Sequence, residues 1–235
     1  MKPINLLFIF ILGFGLFSCQ ENSTFKDYYF QMEDFEKTKV YKFECPEIGL
    51  VEYWEMTFFP EENIFFTKMY NEELEETYFI KEKITDQGAE ASAFGRSNLF
   101  AQDQGKLTLD KVLKTQVFLW DQEGPYSYQV EFKSNGEDHQ LLERKRTFVD
   151  FVTVEFEGEK YKAIKFKDDF TLDNVTNEES YSYTNYSYYA LGLGCVKMEM
   201  QGPNGVYRDS KLTEILTGKE WANLLSSKVS LPSNV

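Results

Sequence analysis

Histidine and cysteine are scarce in this chain: among 235 residues there are one histidine and three cysteines. Zinc sites are built mainly from closely spaced histidine and cysteine ligands, so the sequence predicts no such site. A Ser-His-Asp triad would have to use His139, which stands in a polar stretch, and the Gly-x-Ser-x-Gly turn is absent. Glycine-rich phosphate-binding loops are absent as well. We therefore expect an exposed, non-functional His139, no metal, no cofactor and no enzymatic activity.

Basic residues are outnumbered, since 25 Lys and Arg stand against 39 Asp and Glu, a formal net charge of −14. An acidic surface repels phosphate backbones, so a nucleic-acid partner is not expected. The acidic stretch 168–179 is predicted to be a solvated surface segment, with calcium binding as the alternative. It lacks the residue order and the glycine of a calcium-binding loop. No pair among so many carboxylates can be singled out for glycoside hydrolysis. A glycan-acting hydrolase is therefore the remotest functional alternative.

Long hydrophobic runs are missing too. The longest, residues 6–17, has twelve apolar positions, whereas a membrane-spanning helix needs about 20. Lys2 precedes this run and Ser18 comes directly after it, which is the pattern of a cleaved export signal. The tetrad Leu16-Phe17-Ser18-Cys19 resembles a bacterial lipobox, whose cysteine becomes the acylated first residue of the mature protein. We predict a lipoprotein signal peptide over 1–18 and a lipid anchor at Cys19, with an ordinary secretory signal as the alternative.

The residues directly after Cys19 indicate a destination. Gln20 is not the aspartate that retains lipoproteins in the inner membrane, and Gln20-Glu21-Asn22 resembles the acidic stretch after the cysteine in exported lipoproteins of Bacteroidetes. Several acyl chains on one residue make a lasting anchor, whereas a single chain gives marginal binding. The resemblance implies an outer-membrane lipoprotein of the cell envelope, held through Cys19 and a tether over 19–27. Whether it faces the periplasm or the exterior stays open.

Aromatic residues are abundant, at 17%, and two-residue alternation of apolar and polar side chains begins after residue 28. Residues 126–132 show it best, with Tyr, Tyr, Val and Phe at every second position. The pattern predicts a mainly β domain over 28–216, with an antiparallel curved sheet or a clamp-like half-barrel. Residues 86–106 lose the alternation and gather Gly, Ala and Ser, which predicts a long surface connection and a candidate break between half-domains.

A cluster of three basic residues interrupts one of the predicted strands. Alternation places Arg144 and Arg146 on one face of that strand and Lys145 on the other. Adjacent cations are usually solvated, so we predict a strand exposed to solvent and not a basic binding patch.

The carboxy-terminal end carries a helix signal. Thr217 and Glu220 form a capping box, in which each side chain can accept a hydrogen bond from an otherwise unpaired backbone amide. Trp221, Leu224 and Leu225 then share one helical face. We predict a short helix over 217–228, with a frayed tail over 229–235.

Cys45 and Cys195 are the two cysteines left after the predicted anchor. Disulfides persist in the envelope of a bacterium, so this pair could be bridged. Buried free thiols are the alternative, because Cys195 stands in an apolar run.

Several short motifs together resemble an uncharacterised family of β-rich bacterial envelope proteins. They are Tyr28-Tyr29-Phe30 with Val40-Tyr41, Val152-Thr153-Val154 with 158–165, and Tyr188-Tyr189-Ala190 with Gly192, Gly194, Val196 and Lys197. The resemblance covers about 28–216 and implies an open half-barrel like that of periplasmic lipoprotein carriers. It brings no established catalytic residues with it.

A cluster of tyrosines is the best candidate for a binding rim, because tyrosine offers a flat apolar face with a polar tip. Its members are Tyr181, Tyr183, Tyr186, Tyr188 and Tyr189. We predict a non-catalytic binding or scaffold module whose partner is an envelope protein, a lipid or a glycan. The alternative is a lipid or lipoprotein carrier with a hollow, apolar inner face, and we expect that face to be packed. A plain structural role for these tyrosines, covering a sheet face, is the competing interpretation.

Overall fold

The structure is a computed structural model and describes residues 24–97, 107–121, 124–134, 138–201 and 207–229. Cys19 and the predicted signal peptide lie outside these residues, and so does most of the predicted tail. Strands dominate the described part of the chain, and one α-helix comes after them. The prediction of a mainly β, antiparallel fold with one short carboxy-terminal helix is therefore confirmed.

The described residues form twelve strands that succeed one another along the chain. They are β1 (Lys39–Cys45), β2 (Leu50–Phe59), β3 (Ile64–Tyr70), β4 (Glu76–Ile84), β5 (Gly88–Ser97), β6 (Leu107–Leu119), β7 (Tyr126–Ser134), β8 (Asp138–Phe156), β9 (Glu159–Asn174), β10 (Glu179–Ala190), β11 (Gly194–Gln201) and β12 (Tyr207–Thr217). Each strand pairs antiparallel with its neighbours in sequence, and β12 also pairs with β1. The curved sheet thus continues beyond a half-barrel and closes, which removes its unpaired edges.

Side chains alternate between the inside and the outside of this barrel, as the sequence predicted. In β7, Tyr126, Tyr128, Val130 and Phe132 are buried, whereas the residues between them are only half-buried. Successive side chains of a strand point to opposite faces, so one face of every strand lines the barrel interior. The interior is therefore built mainly from aromatic residues.

The prediction of a long surface connection is wrong over Gly88–Ser97, which forms β5. Its small residues permit an approach that larger ones would prevent: a Cβ atom at Gly88 would lie 2.1 Å from the backbone oxygen of Phe118 in β6. Ala89 and Ala91 are almost completely buried for the same reason. Gly and Ala contribute little hydrophobic alternation, so the pattern gave no sign of a strand. Residues 98–106 lie outside the described residues.

The chain fills one end of its own barrel with residues 25–35, called here the N-terminal plug. Two 3-10 turns, Phe25–Tyr28 and Met32–Phe35, shape it. The ring of Tyr29 packs 5.0 Å from that of Phe118, and the ring of Phe30 packs 5.2 Å from that of Phe65. Two backbone hydrogen bonds tie the first turn of the plug to the barrel, from the Phe25 amide to the Trp120 oxygen and from the Gly192 amide to the Asp27 oxygen.

An α-helix, α1 (Gly218–Val229), packs on the outside of the barrel. The predicted capping box is present, because the Thr217 amide donates to Glu220 at 2.8 Å and the Glu220 amide donates to the Thr217 hydroxyl at 3.3 Å. Trp221 is buried, with its ring 5.2 Å from Tyr53 and 5.1 Å from Tyr70. No helix in the described part of the chain is long and apolar enough to cross a membrane.

The fit between the plug and the barrel can be tested at Gly194. Gly192 and Gly194 both have positive φ angles, of 78° and 80°, but only at Gly194 would a Cβ atom meet a neighbour, the Phe30 ring at 2.3 Å. We expect Gly192→Ala to lower the free energy of unfolding by about 1 kcal/mol through backbone strain. Gly194→Ala should cost about 1–3 kcal/mol more, because the packed ring must move. Equal losses in urea titrations would show that the plug is not held tightly.

Candidate functional site: a charged cavity inside the barrel

Beyond the plug, the barrel interior is hollow. A lower cavity of about 200 Å³ lies against Tyr29 and Phe30, and an upper cavity of about 370 Å³ lies farther from the plug. Both cavities, together called the lumen, share wall residues Trp54, Tyr78, Phe94, Tyr128, Phe170, Asn185 and Met198. The expectation of a packed inner face is therefore right at the plugged end and wrong along the rest of the barrel. Side chains can just fill the interior of an eight-stranded barrel, so the interior of a twelve-stranded barrel is too wide for its own side chains to fill.

A buried ion pair stands in the wall of the lower cavity. Arg146 in β8 is 2% exposed and donates two hydrogen bonds to Asp168 in β9, from Nε to Oδ1 at 2.6 Å and from Nη2 to Oδ2 at 2.9 Å. Ser187 and Tyr189 from β10 complete the cluster, with Arg146 donating to their oxygens at 3.0 Å and 3.2 Å. The Ser187 hydroxyl in turn donates to Asp168 at 2.6 Å. Burial would raise the pKa of Asp168, but attraction to Arg146 and Arg144 outweighs it and lowers that pKa.

Arg144 lines the same cavity, two residues before Arg146 in β8. The prediction that Arg144 and Arg146 share one face is confirmed, but the prediction of a solvent-exposed strand is wrong: both are buried, while Lys145 is exposed. Arg144 donates from Nη2 to the Val117 backbone oxygen at 2.5 Å, and its guanidinium lies 4.4 Å from the Tyr128 ring centroid. Its Nε has no hydrogen-bond partner among the described residues and stands 3.9 Å from Asp168.

Glu82 in β4 is a second buried carboxylate of the lower cavity, and sequence reasoning missed it. It accepts a hydrogen bond from the Tyr29 hydroxyl at 3.0 Å, which joins the plug to the barrel wall. Burial raises the pKa of Glu82 to about 7, against the lowering effects of that hydrogen bond and of Arg144 and Arg146. A signal was present: the alternation that places Tyr78 and Ile80 on the inner face also places Glu82 there.

The upper cavity has its own charged pairs. Arg208 contacts Glu52 at 2.7 Å, and both residues line the cavity. Arg96 contacts Asp110 at 3.2 Å, and burial raises the pKa of that aspartate to about 6. Three further polar atoms of the wall lack hydrogen-bond partners among the described residues: Trp54 Nε1, Arg96 Nη2 and Asn185 Oδ1. The lumen is thus an aromatic cage with a few polar groups.

The five tyrosines of the predicted rim are not brought together. Tyr183 stacks on Phe170 with ring centroids 4.8 Å apart and lines the upper cavity, and Tyr189 lines the lower one. Tyr186 and Tyr188 occupy alternate positions on the other face of β10, beside Lys165. Tyr181 is exposed near the beginning of the strand. Recognition by this set at one surface stays a prediction.

Other candidate residues lie apart from the lumen. His139 contacts Glu131 at 3.3 Å, outside both cavities. The acidic stretch does not form a loop at 168–174, because β9 continues through Asn174 and turns Asp168 inward. No group of three or more metal-ligating side chains occurs among the described residues. Cys45 and Cys195 are buried free thiols, not a disulfide, and burial raises the pKa of Cys195 to about 12.

Comparison with known proteins finds similar solved structures and no matching family. No family model and no curated protein matches this chain. Similar solved structures include a "putative lipoprotein" from Parabacteroides distasonis, with a TM-score of 0.48 and 13% identity over 80% of this chain and 98% of that one. A "putative exported protein with YmcC-like fold" from Bacteroides fragilis has a TM-score of 0.40 and 12% identity over 80% and 98%. The "hypothetical lipoprotein YmcC" from Escherichia coli has a TM-score of 0.36 and 8% identity over 78% and 87%.

Two of these three solved structures are described with the word lipoprotein, and the third is described as an exported protein. The resemblance to an envelope protein family goes no further than these neighbours, since no family model assigns the chain to a family.

The buried Glu82 predicts a specific dependence of stability on pH. Its pKa rises on folding from 4.5 to about 7, so the folded state keeps a proton that the unfolded chain releases. The contribution to stability is complete below about pH 4.5 and is lost as the pH rises through 7. We expect native stability to fall across this window by up to about 3 kcal/mol relative to Glu82→Gln, which cannot titrate. Thermal unfolding at several pH values measures the difference.

The control for that experiment is Glu62→Gln, at an exposed turn between β2 and β3. This variant should keep the pH dependence of the native protein. A Glu82→Gln variant with the same pH dependence as the native protein would show that Glu82 is ionised throughout the range.

Proposed function

We propose that this protein is an outer-membrane lipoprotein, anchored at Cys19, that holds a small amphipathic molecule in the lumen of its barrel and does not act on it chemically. The observation that carries the proposal is the pair of adjoining cavities inside a barrel that is filled at one end by its own chain. Packed domains rarely keep voids of this size without an occupant.

The size and the lining of the lumen fit a ligand site. Sites for small molecules are usually concave spaces of about 300–1,000 Å³ whose walls are mostly apolar and carry a few polar groups that orient the ligand. Here Tyr78 and Phe94 stack with ring centroids 5.7 Å apart, and Phe170 stacks on Tyr183. Polar groups line both cavities: Glu82 and Arg144 lie beside the plug, and Glu52, Arg96 and Arg208 line the upper cavity. An elongated amphipathic molecule whose apolar part lies against the stacked rings matches this arrangement.

This location favours a carrier over a scaffold that binds through a tyrosine rim. A scaffold needs a filled interior and an exposed recognition surface, whereas the interior is hollow and the tyrosines of the predicted rim lie on both faces of β10. A hydrolase is less well supported, because Asp168 is fully engaged by Arg146 and Ser187 and Glu82 accepts a hydrogen bond from Tyr29. Both oxygens of Asp168 are bound in this way, so the described lower cavity lacks a free pair of carboxylates for glycoside hydrolysis.

Blocking the lumen tests the carrier proposal. We expect the mature chain with Cys19→Ser, after incubation with an extract of envelope lipids, to retain one small molecule in native mass spectrometry. Asn185→Phe, which would fill the boundary between the two cavities, should reduce the bound fraction at least tenfold. Ser182→Phe, on the exposed face of the same strand, is the matched control and should retain the ligand. Equal retention by both variants would contradict binding in the lumen.

The anchor is tested separately at Cys19. Cys19→Ala should abolish incorporation of radiolabelled fatty acid and move the protein from the membrane to the soluble envelope fraction. Cys45→Ala replaces a buried thiol and should leave both properties unchanged. A native chain that incorporates no fatty acid would favour an ordinary secretory signal, and labelling that survives Cys19→Ala would show that another residue is acylated.

A further inference from the structure

We infer that Arg144 is the binding site for the negatively charged end of the lumenal ligand, and that the ligand is a single-chain anionic amphiphile of the fatty-acid class. This inference rests on the proposed lumenal binding and specifies its chemistry. Arg144 and Arg146 are close together on one strand, but their guanidinium groups differ in the partners that the protein provides.

Arg146 is completely matched by the protein. Its three nitrogens donate to Asp168, Ser187 and Tyr189, and Asp168 meets it with both oxygens. A guanidinium and a carboxylate in this paired geometry neutralise each other. The ion pair therefore offers no charge to a ligand.

Arg144 has no such partner among the residues that the structure describes. Of its contacts, the Val117 backbone oxygen is neutral, the Tyr128 ring is neutral, and Asp168 lies 3.9 Å from Nε and is already bound to Arg146. Glu82, on the same cavity wall, is hydrogen-bonded to Tyr29 instead of pairing with Arg144. Arg144 is 7% exposed, so bulk water does not compensate its charge.

A buried cation without a counter-ion is costly, and proteins keep such a group where a partner arrives to neutralise it. The planar guanidinium suits a carboxylate or another small oxyanion, which it can contact through two parallel N–H donors. Two carboxylates line the described part of the lower cavity, and burial holds one of them, Glu82, as a weak acid. Asp168 therefore stands as one firm negative charge against two arginines. The lower cavity is thus prepared for one more negative charge.

The remaining walls determine which kind of molecule can carry that charge. Stacked rings of Tyr78, Phe94, Phe170 and Tyr183 extend from the lower cavity through the upper one. These rings offer an apolar surface to an acyl chain, although Glu52, Arg96 and Arg208 also line the upper cavity. The small volume of the lower cavity, about 200 Å³, admits a carboxylate and excludes the bulky headgroup and second chain of a phospholipid.

The test compares two probes that differ only in the charge of their polar end, dodecanoate and dodecanol. Binding to the mature chain carrying Cys19→Ser can be measured by quenching of tryptophan fluorescence, because Trp54 lines both cavities. We expect dodecanoate to bind at least tenfold more tightly than dodecanol. Arg144→Met should remove that preference, whereas Arg144→Lys should restore part of it.

Lys145→Met is the matched control, since it removes a cation from the adjacent, exposed position and should leave dodecanoate affinity unchanged. Should Arg144→Met fail to fold, Glu82→Gln provides a second route: it removes a competing carboxylate from the lower cavity and should tighten dodecanoate binding above neutral pH while leaving dodecanol unaffected.

The outcomes separate this inference from the function on which it rests. Equal affinity for dodecanol and dodecanoate, or dodecanoate binding that survives Arg144→Met in a folded protein, overturns the role of Arg144 and leaves lumenal binding intact. Binding of neither probe, together with the absence of a ligand from the envelope extract, overturns both.

Discussion

The width of a twelve-stranded barrel is the constraint on which the rest of this structure depends. Side chains fill the interior of an eight-stranded barrel, and each added pair of strands widens the interior beyond their reach. The wide interior is occupied differently at different levels along the barrel axis. At one end the plug supplies Tyr29, Phe30 and Phe35 as additional packing, and elsewhere the space stays open as the lumen. Dense packing and open space thus lie at different levels of one barrel.

The plug also creates the chemical environment of the lumen. By closing one end, it holds Glu82, Arg144 and Asp168 away from bulk water, where electrostatic interactions are stronger and unpaired charges are more costly. That environment explains why Arg146 is surrounded by three hydrogen-bonding side chains, since removing one partner of a buried ion pair costs about 3–5 kcal/mol. It also explains why Glu82 is held as a weak acid beside a tyrosine of the plug.

Sequence alternation predicted most of the strands and the helix, because half-buried strands and capped helices have local signatures. It failed at β5, where Ala and Gly serve close packing that depends on Phe118, far away in sequence. Alternation could not predict closure of the barrel for a related reason, because the pairing between β1 and β12 joins residues at opposite ends of the domain. Alternation also predicted correctly that Arg144 and Arg146 share one face of their strand, but that face is buried and not exposed to solvent. A two-residue alternation shows which side chains share a face of the strand, but it does not show whether that face is exposed to solvent. Asp168, the carboxylate that neutralises Arg146 inside the barrel, lies on another strand.

The position of the plug relative to the proposed anchor constrains how a ligand reaches the lumen. Cys19 precedes Phe25 by six residues, a reach of at most about 20 Å, so an anchored protein keeps its plugged end close to the lipid surface. A molecule that entered from that side would have to displace Tyr29 and Phe30, which are both buried and in contact with rings on several strands. A ligand that came from the upper cavity with its charged end first would pass the pairs Arg208–Glu52 and Arg96–Asp110 before it reached Arg144. Each of these two arginines already faces a carboxylate, so among the described residues of the lumen Arg144 is the better partner for the anion, and the acyl chain would then lie behind it against the stacked aromatic rings.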